Sequence, residues 1–257
     1  MVAGPALLVA QDGDSTRIIL NALLEDRQDV ELIIEKAPSR LGLLRRRARK
    51  LGVTATLGQA LFAGTVVPLL KLGARARIET IVDRFAMDRS PPRVEAHRVE
   101  SVNSPETREL MQRIDPSVVV VSGTRIIGRR TLNCVAAPFV NMHAGITPLY
   151  RGVHGGYWAL AEDRAELAGT TVHLVDDGID TGRVIGQSAL DITREDSFVT
   201  YPYLHVAAGL PLLREAVARI SRGEPLRFAK ERQLPSRLRH HPTLWGYLSA
   251  RVSRGIR

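Results

Sequence analysis

Three short apolar runs, at residues 6–11, 30–35 and 117–122, constrain this chain more than any other feature. Each is dominated by Val, Ile, Leu or Ala, with no polar alternation through its centre, as expected of strands covered on both faces. Between the first two, residues 15–25 carry apolar side chains at helical spacing, with Asp14 or Ser15 placed to act as N-cap. Strand, helix and strand in succession make a βαβ unit, the start of a doubly wound sheet whose ligands sit at the carboxyl ends of its strands. The predicted fold is therefore α/β, a doubly wound and mostly parallel sheet.

Downstream, Ser104 followed by Pro105 and Glu106 is a helix start leading to Ile114. Residues 140–143 read as the next strand, and 170–175 and 183–190 as a pair flanking an acidic loop. Residues 198–220 read as a helix. The organisation expected is a catalytic domain over 1–221, a basic and apolar helical insertion over 41–89, and a basic C-terminal extension over 222–257.

At residue 140 an apolar strand ends in Asn141, Met142 and His143, and the first strand of the pair, 170–175, runs into Asp176, Asp177 and Asp180. Asn141 and His143 are two apart, so on extended backbone both side chains point to one face. An amide N–H and an imidazolium side by side can hold the negative oxygen of a tetrahedral intermediate, and a carboxylate orients the imidazole. No serine sits in a Gly-x-Ser-x-Gly elbow, and the single cysteine, Cys134, is placed in a helix before this strand, so no covalent nucleophile is expected. The histidines show no metal-binding spacing, and no metal is expected. His173, alternating with apolar neighbours, reads as a packed imidazole rather than a ligand.

These segments resemble the formyltransferases that use 10-formyltetrahydrofolate, which act on glycinamide ribonucleotide, methionyl-tRNA or amino sugars. The resemblance rests on Asn141-Met142-His143, on Pro148 through Gly152, and on Asp177 through Gly182, and it extends over residues 117–218. It implies that Asn141 and His143 polarise the formyl carbonyl. It also implies that Asp180 keeps His143 protonated, as a nearby carboxylate would, and relays a proton from the attacking amine. By the same resemblance Gly123, Arg125, Ile126, Ile127, Asp176 and Asp177 would contact the folate. Tyr150, Arg151, Gly152 and His154 would line the acceptor site.

Three departures narrow the acceptor. The first turn contains Asp12 and Asp14 instead of a glycine-rich phosphate cradle, which argues against glycinamide ribonucleotide. About forty residues follow the last expected helix, too few for the barrel of the tRNA enzymes. The third departure is the insertion itself. Residues 51–70 carry no charge and are bracketed by Lys50 and Lys71, with Arg45, Arg46, Arg47, Arg49, Arg75 and Arg77 nearby.

Gly52, Gly58, Gly64 and Pro68 predict two shorter helices rather than one. Such helices would pack on the core, on a second subunit in a homodimer, or on anionic lipid, where each cation contributes roughly 1 kcal/mol. The expected activity is formyl transfer to a primary amine on a nucleotide- or lipid-linked amino sugar. A formyltetrahydrofolate hydrolase and a folate- or membrane-binding module are the alternatives.

At 257 residues and 44% hydrophobic content the chain can bury a substantial core without disulfides. Its first residues lack the basic start of a signal peptide, so a cytoplasmic or membrane-peripheral location is the expectation. The net charge of +9 carries no nucleic-acid-binding motif with it.

Overall fold

The structure, a computed structural model, describes residues 4–27, 29–230 and 232–256. The chain opens with β1 (Ala6–Ala10), α1 (Asp14–Asp26) and β2 (Val30–Glu35), the βαβ unit read from the sequence. The insertion follows as α2 (Arg40–Leu51), α3 (Val53–Leu61) and α4 (Val67–Arg84). Next come β3 (Ala96–Val99), α5 (Pro105–Ile114), β4 (Val118–Ser122), α6 (Arg129–Leu132) and β5 (Phe139–His143). The remainder is β6 (Arg151–Gly152), α7 (Gly155–Ala161), β7 (Gly169–Leu174), β8 (Val184–Ala189), α8 (Tyr201–Ser221), β9 (Leu238–Arg239) and α9 (Leu244–Arg254).

Seven strands form one sheet in the order β3-β2-β1-β4-β5-β7-β8. The first five run parallel, and β7 and β8 run antiparallel. Alternation along β1 shows why its run is uninterrupted: Ala6, Leu8 and Ala10 pack with Leu20 and Leu23 of α1 and Leu213 of α8. Leu7 and Val9 pack on the other face with Met111 of α5. Both faces are dry, so neither register of the strand can be polar. α5 begins as expected, with the Ser104 hydroxyl accepting from the Thr107 amide at 3.3 Å.

Several details differ from the sequence reading. α1 starts at Asp14 with Gly13 as N-cap and no side-chain cap. Cys134 lies in a bend beyond α6, not in a helix. The glycines and proline of the insertion do not divide it into two shorter helices. The break falls at Gly52, at φ 85°, and Val53–Arg84 is a single helical run of 32 residues. Pro68 lacks an N–H and would press on a carbonyl one turn back, and the helix meets it with a five-residue π segment, Phe62–Val66. Gly58 is needed for packing, because a Cβ there would collide with the Trp245 ring of α9.

The C-terminal extension is joined to the body instead of standing apart. β9 pairs with β6, the Gln59 side chain donates to the His241 carbonyl at 2.9 Å, and Tyr247 packs on Phe62. Arg257, part of the extension's basic complement, lies outside the described residues.

Candidate active site

β5 is where the sheet changes direction, with parallel β4 on one side and antiparallel β7 on the other. The β5–β7 register sets Asn141 opposite His173 and His143 opposite Thr171. A bulge at Val172/His173 sits beside this pair, a device that re-aims side chains next to functional sites. The loop after β7 then carries Asp180 back to the strand ends in the left-handed region, at φ 52°, which aspartate tolerates better than most residues. Within that loop the Asp176 carboxylate accepts from the Gly178 amide at 3.0 Å and the Thr181 hydroxyl at 2.7 Å. A Cβ at Gly182 would strike the Leu174 carbonyl.

The three residues anticipated to act together converge. Asp180 Oδ2 lies 3.4 Å from His143 Nδ1 and accepts from the Gly152 amide at 2.8 Å. Asn141 Nδ2 lies 3.5 Å from Asp180 Oδ1 and 3.1 Å from His173 Nε2. His173, read from the sequence as a packed imidazole, is buried but belongs to this cluster. Its Nδ1 lies 2.7 Å from the Leu174 carbonyl, and since a carbonyl only accepts, the hydrogen sits on Nδ1. Nε2 is then free to accept from Asn141.

The same logic fixes His143, whose Nε2 donates to the Tyr150 carbonyl at 2.7 Å and whose Nδ1 faces Asp180. That contact exists because residue 145 is glycine; a Cβ there would meet both groups.

Charge in the cluster does not follow the simple expectation that Asp180 holds His143 protonated. Burial lowers the His143 pKa below its ordinary value, and the opposing pull of Asp180 is smaller. Asp180 is itself subject to burial, which raises it, but His173, His143 and the Gly152 amide together bring its pKa below the usual carboxylate value. A further negative charge beside His143 would act in the same sense as Asp180, against that burial.

The other anticipated residues divide. Gly123, at φ 67°, and His154 line a large cavity. Ile126 is 62% exposed, whereas Ile127 is buried in the core and cannot present its side chain to a ligand. Arg125 is committed to structure: its Nε lies 2.6 Å from the buried Glu35 carboxylate, and it donates to the carbonyls of Lys36 and Glu100. Asp177 is paired with Arg129. Tyr150 is wholly buried and contributes its carbonyl, while Arg151 donates to the Ile179 carbonyl at 3.0 Å.

Of the cluster, Asp180 lines the smaller of two cavities, and none of Asn141, His143 and Asp180 lines the larger. The smaller, about 170 Å³, is lined by Asp180, Arg151, Thr181 and Lys230. The larger, about 990 Å³, is bounded by the β1–α1 turn, by Met142 and Ala144 at the end of β5, and by α4 and α8. α4 contributes Lys71 and Arg75 to it, and α8 contributes Tyr201 and His205.

Neither ring nitrogen of His205 has a hydrogen-bond partner, although the side chain is only 5% exposed. Burial pushes its pKa down to about 3. His154 sits in the left-handed region, bonded to His241 Nδ1 at 3.0 Å and packed on Phe198. No group of His, Cys, Asp and Glu side chains suited to a metal occurs among the described residues.

Residues 6–203 match the formyl transferase family. The chain belongs to this family. Among curated formyltransferases, it is 34% identical over 107 residues to the methionyl-tRNA formyltransferase of Anaeromyxobacter sp. (strain K), a match covering 42% of this chain and 34% of that one. It is 25% identical over 126 residues to the GDP-perosamine N-formyltransferase of Brucella melitensis, covering 49% of this chain and 48% of the relative. The matched stretch thus spans between a third and a half of these relatives.

Among solved formyltransferase structures, the sugar N-formyltransferase from Shewanella sp. FDAARGOS_354 superposes with a TM-score of 0.56 at 14% identity. That likeness covers 96% of this chain and 86% of the other. The Helicobacter canadensis N-formyltransferase in complex with folinic acid and dTDP-3-aminofucose gives 0.54 at 16%, covering 90% and 69%. The fold is shared across these enzymes.

Sequence reasoning did not single out His205, and it named Lys71 and Arg75 only among the insertion's cations, without placing them at a cavity. Their burial and direction are set by how α4 and α8 dock on the sheet, which no local spacing encodes.

Proposed function

We propose that this protein transfers a formyl group from 10-formyltetrahydrofolate to the primary amine of a phosphate-bearing amino sugar, nucleotide- or lipid-linked. The observation that carries the reading is the convergence of Asn141, His143 and Asp180 at the β5 end, beside the cavity that Asp180 lines, without a covalent nucleophile among them.

The donor supplies an electrophilic formyl carbon. The loop after β4 suits a flat ring system: Ile126 projects outward as an apolar platform, while Asn103 holds the Ile126 carbonyl at 2.9 Å and the Gly128 amide at 2.7 Å. Arg125 then acts by anchoring this loop through Glu35, not by touching the ligand with its charge. Asn141 donates its amide N–H to the carbonyl oxygen, and His143 stabilises the same oxygen as it becomes negative.

An oxyanion beside His143 adds a second negative neighbour to Asp180 and opposes the burial that lowers the His143 pKa. Asp180 accepts the proton that the amine loses as its nitrogen bonds to the formyl carbon and returns it to the folate nitrogen, which leaves protonated as its bond to that carbon breaks.

The acceptor assignment draws on the larger cavity. Asp14 is neutralised there by Arg89 and by the Tyr203 hydroxyl at 2.6 Å. Lys71 and Arg75 make no ion pair among the described residues and so can meet a phosphate. Tyr201, Phe198 and Tyr157 offer faces for a sugar or base.

The test is purified protein with 10-formyltetrahydrofolate and a panel of nucleotide-linked and lipid-linked amino sugars, following tetrahydrofolate release. Release stimulated by an amino sugar is expected. Release independent of every amine, and lost in His143→Ala, would replace the transferase with a hydrolase.

A further inference from the structure

Most of the insertion's apolar surface is not used by the core. α2 buries none of its residues. Along the helical run Val53–Arg84, Val53, Leu57 and Leu61 recur every four residues and are exposed, and beyond the π segment Leu69 and Leu72 are exposed as well, Leu72 at 81%. Only 22% of the apolar window in this run is buried. α9 packs beside it, with Trp245 over Gly58, and leaves Trp245, Leu248 and Val252 exposed at spacings of three and four along one stripe. A patch of this extent is far larger than the scattered apolar residues of an ordinary surface.

The charge around it has one sign. No acidic residue occurs between Glu35 and Glu79. Arg45, Arg46, Arg49 and Lys50 of α2 are exposed, and they make no ion pair among the described residues. Arg77, grouped with these cations by sequence, faces the other way: its guanidinium holds the buried Asp196 through two contacts of 2.9 Å. Arg47 is half-buried, and its charge adds to the burial that lowers the pKa of His240 and His241, with Lys50 also acting on His240. The unpaired cations at the outer surface are thus those of α2.

We propose that this face is a docking surface for an anionic lipid bilayer, with α2 and the exposed stripes of α3, α4 and α9 lying in the headgroup layer. A second copy of the chain fits less well. A two-fold interface would set this acid-free surface against itself, cation facing cation, with no carboxylates to compensate. Crossing the bilayer is also ruled out by the bonding. Gln59 holds His241, Phe62 packs on Phe198 and Tyr247, and Arg77 holds Asp196, so both halves of the 32-residue helix are tied to one folded body. An amphipathic helix with apolar residues on one side and Lys and Arg beside them lies in the interface plane. The inference stands on this surface and does not rest on the formyl-transfer reading.

Flotation of the full-length protein with vesicles of phosphatidylcholine alone, or mixed equally with phosphatidylglycerol, tests it. Binding is expected to the mixed vesicles only, weakening as salt rises. Leu57→Gln combined with Leu61→Gln and Leu69→Gln should remove it. Replacing Arg45, Arg46, Arg49 and Lys50 together by Gln should lower it by roughly tenfold or more. Both variants should keep the wild-type thermal midpoint.

Trp245 supplies a readout that folding alone does not move. In a Trp158→Phe background its emission should shift to the blue on mixed vesicles and be quenched by lipids brominated along their chains. Absence of wild-type flotation at low salt would overturn the proposal. So would a stable dimer in solution that the leucine variant dissociates, which would assign the face to a second copy.

Discussion

The ends of β5 and β7 and the helices of the insertion treat the same chemical groups in opposite ways. At the strand ends the polar atoms of Asn141, His143, His173 and Asp180 are packed within bonding distance of one another and of backbone, under a buried core. In the insertion, leucines and arginines stand exposed and unpaired. A group satisfied within the fold is evidence about how the molecule holds together. A group left unsatisfied points outward, to something the molecule meets.

That contrast can be broken first at the site. His143→Ala should reduce tetrahydrofolate release by about 100- to 1000-fold, the range set by loss of one oxyanion donor, with an unchanged circular dichroism spectrum. Asp180→Asn should cost about 100-fold and alter the pH profile of the rate. Near-wild-type turnover in either would mean that the cluster only braces the loop.

Stability sharpens the comparison next. Leu8→Ala, in a fully buried strand, should cost about 2–5 kcal/mol in chemical denaturation. Leu72→Ala removes the same atoms from the exposed face and should stay within about 0.5 kcal/mol. Equal costs would show that the insertion is covered in solution.

Acid should act through the buried histidines. Burial lowers His154 and His205 to about 3 and His241 to about 4, from an ordinary 6.5. The unfolded chain therefore binds protons that the folded chain refuses. Their stabilising effect is complete above pH 6.5 and declines as pH falls toward those values, by about 1.4 kcal/mol per pH unit for each proton. Thermal midpoints at pH 7 and pH 5 measure this. His205→Leu should reduce the difference, since neither of its nitrogens has a partner to lose. A loss of about 1 kcal/mol is expected for Ser104→Ala, which removes the α5 cap.

β1, β2 and β4 were legible to within a residue because strands covered on both faces need unbroken apolar runs. Asn141, His143 and Asp180 were legible because polar, reactive side chains are out of place where an apolar strand ends. β3 was not, since Ala96–Val99 is an edge strand with exposed His97 and Arg98 and has no strong pattern. β6 and β9 pair over two residues each, contacts that only tertiary closure creates. His173 carried the pattern of a packed residue and is one; its alignment with Asn141 depends on strand register. The direction of the His143 shift was missed because sequence spacing shows the neighbouring carboxylate but not the depth of burial.

The π segment before Pro68 makes the insertion sensitive to a kind of change that residue-by-residue substitution would not reveal. A π segment accommodates one residue more than the α-helix around it, and each α-helical residue turns the chain by about 100°. Removing one of Phe62–Val66 would let the run close into ordinary α-helix with what lies beyond it in nearly the same phase, because the π segment absorbs the extra residue. Removing one residue from the α-helix between Val53 and Leu61 would instead rotate everything beyond it by that angle: Arg77 would swing away from Asp196, and Lys71 and Arg75 would leave the cavity. Relatives sharing its surface should therefore tolerate a one-residue gap within the π segment far more readily than one in the helix before it.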